Sequence, residues 1–210
     1  MTDPLHAPAP GLYRPPVYDA ADPAALVRDY PLALLVSPPL HASATPVLFE
    51  RDDTVATLVG HLARRNAHAL ALRSGDDALA IFSGPNAYVS PRWYVEKPQV
   101  PTWNYLCAQV RGRIEVIDDD DGQLAVLARI AEVGEARWPD PWTLQMAPPG
   151  RVEQLLPLIR SFRIHVERID GATKLSQSHP PGDRTRVAAG LAGSPLADER
   201  EVARLMRELP

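Results

Sequence analysis

Proline places the strongest limit on the folds open to this chain. It occurs 23 times in 210 residues, and inside a helix each proline removes a backbone hydrogen bond and clashes with the preceding turn. Long helices are therefore disfavoured over much of the chain, whereas short strands joined by turns accommodate prolines at their ends. Apolar runs of β-type composition stand between these turn signals, for example at residues 32–37 and 54–60.

Runs of this kind predict six or seven strands that follow one another at short range. The predicted strands are residues 32–37, 44–50, 54–60, 78–83, 87–90, 100–118 and 159–169. Apolar residues at helical spacing predict helices at residues 22–30, 62–73, 187–191 and 199–209, and after the acidic run 118–121, which we interpret as a helix cap. The pattern favours a mainly β protein of the α+β class, an antiparallel barrel with peripheral helices, over a parallel βαβ sheet.

The composition is that of an ordinary globular protein, with 45% hydrophobic and 23% charged residues. We expect a flexible arm at residues 1–12 and one domain over residues 13–210. The net charge of −4 counts against nucleic acid as a partner. The single cysteine, Cys107, excludes an internal disulfide and a cysteine-cluster metal site. No apolar run approaches the roughly 20 residues of a membrane span, and no secretion signal precedes the first element, so we expect a cytoplasmic protein.

One stretch, residues 59–66, combines several functional side chains at a predicted strand-to-helix corner. His61 follows Gly60, and Arg64, Arg65 and Asn66 come within the next five positions. Such a corner exposes backbone N–H groups that suit an anion or a cofactor. Two arginines at a helix start are unfavourable to the helix dipole unless an anion is present. The alternative is a hydrogen-bonded structural histidine above a solvated helix face, and these residues alone do not choose between the two.

Motifs of the common nucleotide-binding and hydrolytic enzymes do not occur in this chain, neither a P-loop nor a dinucleotide glycine fingerprint nor a nucleophile elbow. Of the six histidines, His61 is the one that combines a structural corner with nearby cationic side chains. The corner therefore fits a flavin site, a heme site or a plain feature of the fold.

Six short motifs in fixed order carry a resemblance to a known family. They occupy residues 60–66, 84–94, 101–105, 174–177, 183–184 and 190–191. In these motifs the chain resembles the PaiB-type family of FMN-binding split-barrel proteins, often called negative transcriptional regulators. The resemblance implies a six-stranded split β-barrel, a homodimer and a cofactor bound near the dimer interface.

Three departures from that family pattern resemble instead its heme-dependent branch, the piperazate synthases. Residues 95–100 form a shortened loop, residues 44–46 read Ala-Thr-Pro where a histidine is common, and residues 106–109 read Leu-Cys-Ala-Gln where relatives have Ala-Val-His. These changes should open room on one face of the cofactor. Piperazate synthases convert N5-hydroxy-L-ornithine to L-piperazic acid by forming an N–N bond.

This second resemblance implies roles for individual residues. His61 would be the axial ligand of heme b, and Lys97 and Thr45 would act in turnover. Charged or amide side chains expected to contact propionate or phosphate groups are Arg64, Arg65, Asn66, Lys174 and Gln177. Trp93 and Trp103 would be cofactor walls, with barrel packing as the alternative. The second function class is an FMN-binding regulator or flavoprotein without the cyclase activity.

Overall fold

The computed structural model describes residues 11–209. The predicted arm at residues 1–12 therefore lies outside the described residues except for Gly11 and Leu12. Within the described range the strands are β1 Leu32–Ser37, β2 His41–Phe49, β3 Thr57–Ala63, β4 Asp77–Val89, β5 Thr102–Ile117 and β6 Ile159–Lys174. The helices are α1 Pro23–Asp29, α2 Ala67–Ala71, α3 Asp120–Glu135, α4 Arg151–Leu155, α5 Pro181–Ala192 and α6 Ala197–Glu208. No helix within residues 11–209 has the length and apolarity needed to cross a bilayer.

The six strands close into a barrel in the order β1-β2-β3-β6-β5-β4. The pairs β1–β2, β1–β4, β2–β3 and β3–β6 are antiparallel. Closure leaves no unpaired sheet edge, which is the physical advantage of a barrel over an open sheet of the same strands. The predicted antiparallel barrel with peripheral helices is confirmed.

Contacts along the chain group it into two compact units. The barrel unit comprises residues 27–82 and 110–169, and it holds part of every strand together with α2, α3 and α4. The helical unit comprises the described residues up to Leu26, residues 83–109 and those from Asp170 on, and it holds α5, α6 and the remaining parts of β4, β5 and β6. The prediction of one domain over residues 13–210 stays a prediction.

Alternating side chains fill the core of the barrel unit. Leu35 on β1, Leu58 on β3, Phe82 on β4 and Phe162 on β6 are all fully buried. The run 32–37, although continuously apolar in sequence, follows this alternation, because Leu32 lies on the outer side with 65% of its surface exposed. The period of two along a strand, rather than the run of apolar residues, decides which side chains face the core.

The end of β3 differs from the sequence prediction. Gly60 was expected to end a strand at residues 54–60, but β3 runs from Thr57 to Ala63 and places His61 inside the strand. Leu62 and Ala63 pair with Arg160 and Ile159 of β6, so interstrand hydrogen bonding continues past the glycine. The expected helix at residues 62–73 shrinks to α2, Ala67–Ala71, for the same reason.

Two predictions based on local signals had opposite outcomes. The turn expected at residues 84–86 is wrong, because β4 continues through these residues. They lie beyond Phe82, the last residue of β4 that pairs with β1. Pro85 therefore removes no hydrogen bond from the β1–β4 ladder. The acidic cap is confirmed, since the Asp119 carboxylate accepts the Gly122 N–H at 2.8 Å at the start of α3.

The Phe162 ring leaves no room for a side chain at position 60 of β3. A Cβ atom added at Gly60 would lie 2.7 Å from Phe162 Cζ and 2.7 Å from the Pro46 carbonyl oxygen. The first is a core ring and the second is backbone, so neither has room to move. A residue larger than glycine would therefore push apart β2 and β6, the two neighbours of β3.

We expect Gly60→Ala to lower the free energy of unfolding by about 1–3 kcal/mol, the usual cost of overpacking a filled core. Gly134→Ala is the control, because a Cβ on that α3 residue meets nothing within 4 Å. Alanine there should raise stability by about 0.5–1 kcal/mol through helix propensity. Urea denaturation of the two variants measures both values, and a Gly60→Ala protein as stable as the native one would contradict the packing argument.

Candidate functional site

The imidazole of His61 lies on β3 with its ring unbonded. Its Nδ1 atom is buried and has no hydrogen-bond partner within residues 11–209. Burial lowers the pKa of His61 below its ordinary value of 6.5. The ring is thus neutral at physiological pH and keeps a lone pair for a metal ion or a hydrogen-bond donor.

Thr45 holds the backbone of that histidine. Its side chain is buried, and its hydroxyl donates a hydrogen bond to the His61 carbonyl oxygen at 2.5 Å. Since β2 and β3 are paired neighbours, with Val47 opposite Gly60, this bond fixes the strand at the position of the imidazole. The structure therefore brings two predicted site residues together, with the Thr45 proton directed at the backbone. The predicted part of Thr45 in turnover stays a prediction.

Arg64 and Arg65 lie in a turn before α2 and not in its first turn, which corrects the expected dipole conflict. Arg64 lies 3.7 Å from the Asp118 carboxylate and 3.5 Å from the Gln123 side-chain oxygen, while Arg65 is exposed. Asn66 is the N-cap of α2: its side chain accepts the His68 N–H at 2.9 Å and donates to the Ser43 hydroxyl at 3.0 Å. Asn66 and Arg64 thus have structural partners within the barrel unit.

A buried polar network that the sequence did not predict surrounds His68 in the barrel unit. The imidazole is 1% exposed, and its Nε2 and Nδ1 atoms lie 2.9 Å and 3.1 Å from the hydroxyls of Ser37 and Ser43. The ring also stacks on His41, with centroids 5.4 Å apart. Burial, with a smaller contribution from the charge of His41, lowers the pKa of His68. Its helical position in sequence gave no sign of these strand partners.

In the helical unit, a cavity of about 320 Å³ collects polar side chains from four segments. Lys97 and Lys174 line it together with Tyr18, Thr102 and His179. The Lys174 ammonium donates to the Thr102 hydroxyl at 2.7 Å and lies 5.9 Å from the centre of the Tyr18 ring. Two predicted site residues that are far apart in sequence therefore meet at one cavity.

His179 supplies a third nitrogen group to this cavity. Its ring stacks on Tyr94 with centroids 4.5 Å apart, and its Nδ1 atom is buried with no partner within the described residues. Burial lowers the pKa of His179, and the charges of Lys97 and Lys174 lower it further against the opposing effect of Asp183. The sequence does not single out His179, because its stacking partner Tyr94 is distant along the chain.

Asp183 fixes the loop that carries Lys97. The carboxylate is fully buried and accepts hydrogen bonds from the backbone N–H groups of Val95, Glu96 and Lys97, at 2.7, 3.1 and 2.9 Å. Burial acts to raise the pKa of Asp183, but these three donors and the Arg186 guanidinium hold it well below its ordinary value. A carboxylate with this many donors stays ionised and holds the loop in one conformation.

The remaining sequence motifs of the helical unit contact one another in pairs. Asn104, buried on β5, donates to the Ser176 hydroxyl at 3.0 Å, and Gly190 on α5 leaves the space in which the Trp93 ring packs. Trp103 is 53% exposed and meets Tyr88 edge-on. Gln177 bonds to its own turn, accepting from the Leu175 N–H and donating to the Thr173 carbonyl. These contacts give Trp93 and Gln177 structural partners, and their predicted cofactor contacts stay predictions.

Comparison with known proteins decides the family. The family model described as "Putative FMN-binding domain" matches residues 12–168 of this chain. The chain belongs to this family. It is 31% identical over 181 residues to an uncharacterized protein of Emericella nidulans, and 30% identical over 151 residues to the protease synthase and sporulation protein PAI 2 of Bacillus subtilis. Each comparison covers 72% of this chain and 72% of the relative.

Solved structures share the fold of this FMN-binding-domain protein. The conserved hypothetical protein Rv2991 from Mycobacterium tuberculosis has a TM-score of 0.56 at 12% identity, over 80% of this chain and 94% of that one. The flavocytochrome Anf3 from Azotobacter vinelandii has a TM-score of 0.51 at 12% identity, over 74% and 67%. The family match confirms the PaiB-type resemblance at the level of family and fold. His61, Thr45 and Lys97 lie inside the matched range, while Lys174 and His179 follow it.

The His68 network makes the stability of the protein depend on pH. Because the folded protein holds the pKa of His68 below 6.5, the unfolded chain binds a proton at pH 5–6 that the folded chain resists. The free energy of unfolding should therefore be highest above pH 6.5 and fall as the pH is lowered, by at most about 1.4 kcal/mol per pH unit for each such histidine.

We expect His68→Gln to reduce this slope in urea denaturation curves measured from pH 7.5 to 5. His165→Gln removes an exposed imidazole on β6 and is the matched control. An equal reduction of the slope in both variants would show that the buried network is not its source.

Proposed function

We propose that this protein is a heme-dependent piperazate synthase, which cyclises N5-hydroxy-L-ornithine to L-piperazic acid with formation of an N–N bond and loss of water. The observation that carries the proposal is the state of His61. Within the described residues, the neutral imidazole has a buried nitrogen without a hydrogen-bond partner and so keeps a lone pair of the kind that an iron ligand needs. An ordinary structural histidine would have its buried nitrogen paired, as His68 does.

The barrel unit also gives such a ligand a fixed backbone. The hydroxyl of Thr45 bonds to the His61 carbonyl, and β3 pairs with β2 and β6 on either side. In the same unit, the departure at residues 44–46 lacks the bulky histidine of flavin-type relatives, as the resemblance to the piperazate synthases implies. The fold of this chain is also found in a protein described as a flavocytochrome.

The reaction sets clear requirements for the side chains. The α-amine nitrogen forms a bond to N5 and loses a proton, while the N5–O bond breaks and the departing hydroxide gains one. Atoms balance with the loss of one water, and no external electrons are needed. A bound heme would supply a Lewis acid for the N–O bond, and His61 would hold its iron. An acid must protonate the departing oxygen.

Lys97 is assigned to turnover on the same resemblance. Its ammonium makes no hydrogen bond within the described residues, and its backbone is held by Asp183. A fixed loop with a free cationic tip suits either of two roles, protonation of the leaving oxygen or neutralisation of the substrate carboxylate.

A second function is an FMN-binding flavoprotein or PaiB-like regulator. It is supported by the family itself and by the cationic cavity of the helical unit, which suits a phosphate group. The absorption spectrum separates the two: a Soret band indicates heme, and paired near-ultraviolet and blue bands with fluorescence indicate flavin. A homodimer and a cytoplasmic location remain predictions for either function.

His61→Ala should abolish hemin binding, because it removes the proposed iron ligand. The measurement is a hemin titration of the purified protein, followed through the Soret band to one equivalent. His165→Ala removes a solvent-exposed histidine and should bind hemin like the native protein. Stoichiometric hemin binding by His61→Ala, or tight stoichiometric FMN binding by the native protein with no uptake of hemin, would reject the proposed function.

Lys97→Ala should keep hemin binding but lower the rate of cyclisation, by about 10²–10⁴-fold if Lys97 is the proton donor. The assay incubates N5-hydroxy-L-ornithine with the hemin-loaded protein and follows the loss of water by mass spectrometry. Lys97→Arg separates the two roles, because arginine keeps the charge but does not give up its proton near neutral pH. Native turnover in Lys97→Ala would remove this residue from the mechanism.

A further inference from the structure

The two lysines of this chain stand out against its use of arginine. The sequence contains 20 arginines and two lysines, Lys97 and Lys174. Both lysines line the same cavity of the helical unit. Elsewhere cationic side chains are arginines, whose planar fork pairs with carboxylates on the protein surface, as in Arg204 with Glu201 and Glu208. Lysine instead offers a compact ammonium with three donors that suits a single oxyanion.

The cavity is cationic and its charges are not neutralised within it. None of the described residues that line it is acidic. The Asp183 carboxylate, which acts on the pKa of His179, is already committed to three backbone N–H groups and to Arg186. Two ammonium groups that line one cavity of about 320 Å³ both attract an anion that enters it.

Neutral donors complete the lining. The hydroxyls of Tyr18 and Ser178 lie 3.0 Å apart. The Thr102 hydroxyl accepts a hydrogen bond from the Lys174 ammonium at 2.7 Å, which leaves the hydroxyl proton free to donate. His179 adds a ring whose buried nitrogen has no partner in the described part of the chain. Hydroxyl, imidazole and ammonium donors around one space are the groups that bind carboxylate and phosphate oxygens in proteins.

The lining is held in place by buried contacts rather than by the ligand. Asn104 and Ser176 bond to each other at the buried side, and Asp183 fixes the loop of Lys97. Lys174 is held by Thr102 and lies over the ring of Tyr18. The Lys174 ammonium and the backbone of the Lys97 loop are thus preorganised, which lowers the entropy cost of binding an anion, while the exposed Lys97 side chain supplies the second charge.

We propose that this cavity is a binding site for the terminal oxyanion of a small ligand, a carboxylate or a phosphate, with Lys97 and Lys174 as its cationic contacts and Thr102, Tyr18 and His179 as neutral donors. The anion site does not rest on the piperazate synthase proposal; only its assignment to an amino-acid carboxylate does. The other source of the same chemistry is the phosphate of a flavin mononucleotide.

The two lysines permit a direct test, because an amine-selective reagent modifies only them and the N-terminal amine. The heme-free protein is reductively methylated, and the rate at each lysine is read by peptide mass spectrometry with and without inorganic phosphate. If the ligand covers the amines, their modification slows by a factor of about 1 + [L]/Kd, or about tenfold at a ligand concentration near ten times Kd. The N-terminal amine is the internal control and should react at an unchanged rate.

Matched ligand pairs identify the source of the oxyanion. FMN protecting the lysines where riboflavin does not assigns the site to a phosphate, and L-ornithine protecting them where L-ornithinamide does not assigns it to an amino-acid carboxylate. Lys174→Gln should weaken protection of Lys97 at least tenfold in Kd, and Lys174→Arg should restore part of it. Arg207→Gln, an exposed cation of the same unit, is the control and should leave protection unchanged.

Unchanged methylation of both lysines in the presence of phosphate, FMN and L-ornithine alike would overturn the proposal. Equal weakening by Lys174→Gln and Arg207→Gln would also overturn it, because only general charge attraction would then remain. Since the labelling uses protein without heme, these results are separate from the hemin titration at His61.

Discussion

The pairing of β3 with β6 is the constraint on which the rest of the barrel unit depends. It carries β3 past Gly60 to Ala63, with Leu62 opposite Arg160 and Ala63 opposite Ile159. The close approach of the Phe162 ring and the Pro46 carbonyl is possible only because residue 60 has no side chain. His61, the next residue, therefore sits within a paired strand, and its carbonyl is bonded to Thr45. A residue fixed this firmly by backbone contacts keeps its side chain available for a ligand.

The helical unit holds cationic side chains together. It does so with buried polar contacts between segments that are distant in sequence: Thr102 with Lys174, Asn104 with Ser176, and Asp183 with the backbone of residues 95–97. The first two contacts join one sequence motif to another, and the third joins the motif at residues 183–184 to the shortened loop. The motifs of this unit are thus explained as partners of one another, and the cavity they surround is the chemical consequence.

Unsatisfied polar atoms are what distinguish the candidate sites from structural networks in this protein. His68 is as polar as His61, yet both of its ring nitrogens face serine hydroxyls and its environment is complete. The buried nitrogens of His61 and His179 have no such partner in the described chain. Leaving a buried polar group unpaired costs about 1–3 kcal/mol, so a ligand that pairs with these two nitrogens would recover that free energy.

Local chemistry in the sequence determined the helix starts at Asp22 and Asp119, the approximate positions of five of the six strands, and the membership of the family through its ordered motifs. It also singled out His61, while Lys97 and Lys174 were expected as site residues from the family resemblance. Tertiary structure alone decided where β3 ends, how short α2 is, and that Gly84 and Pro85 lie within a strand. It alone brought both lysines to one cavity with Tyr18 and His179. The reason is physical: caps and strand propensities act over a few residues, whereas strand register and cavity lining come from pairings between residues far apart in the chain, whose energies outweigh local preference.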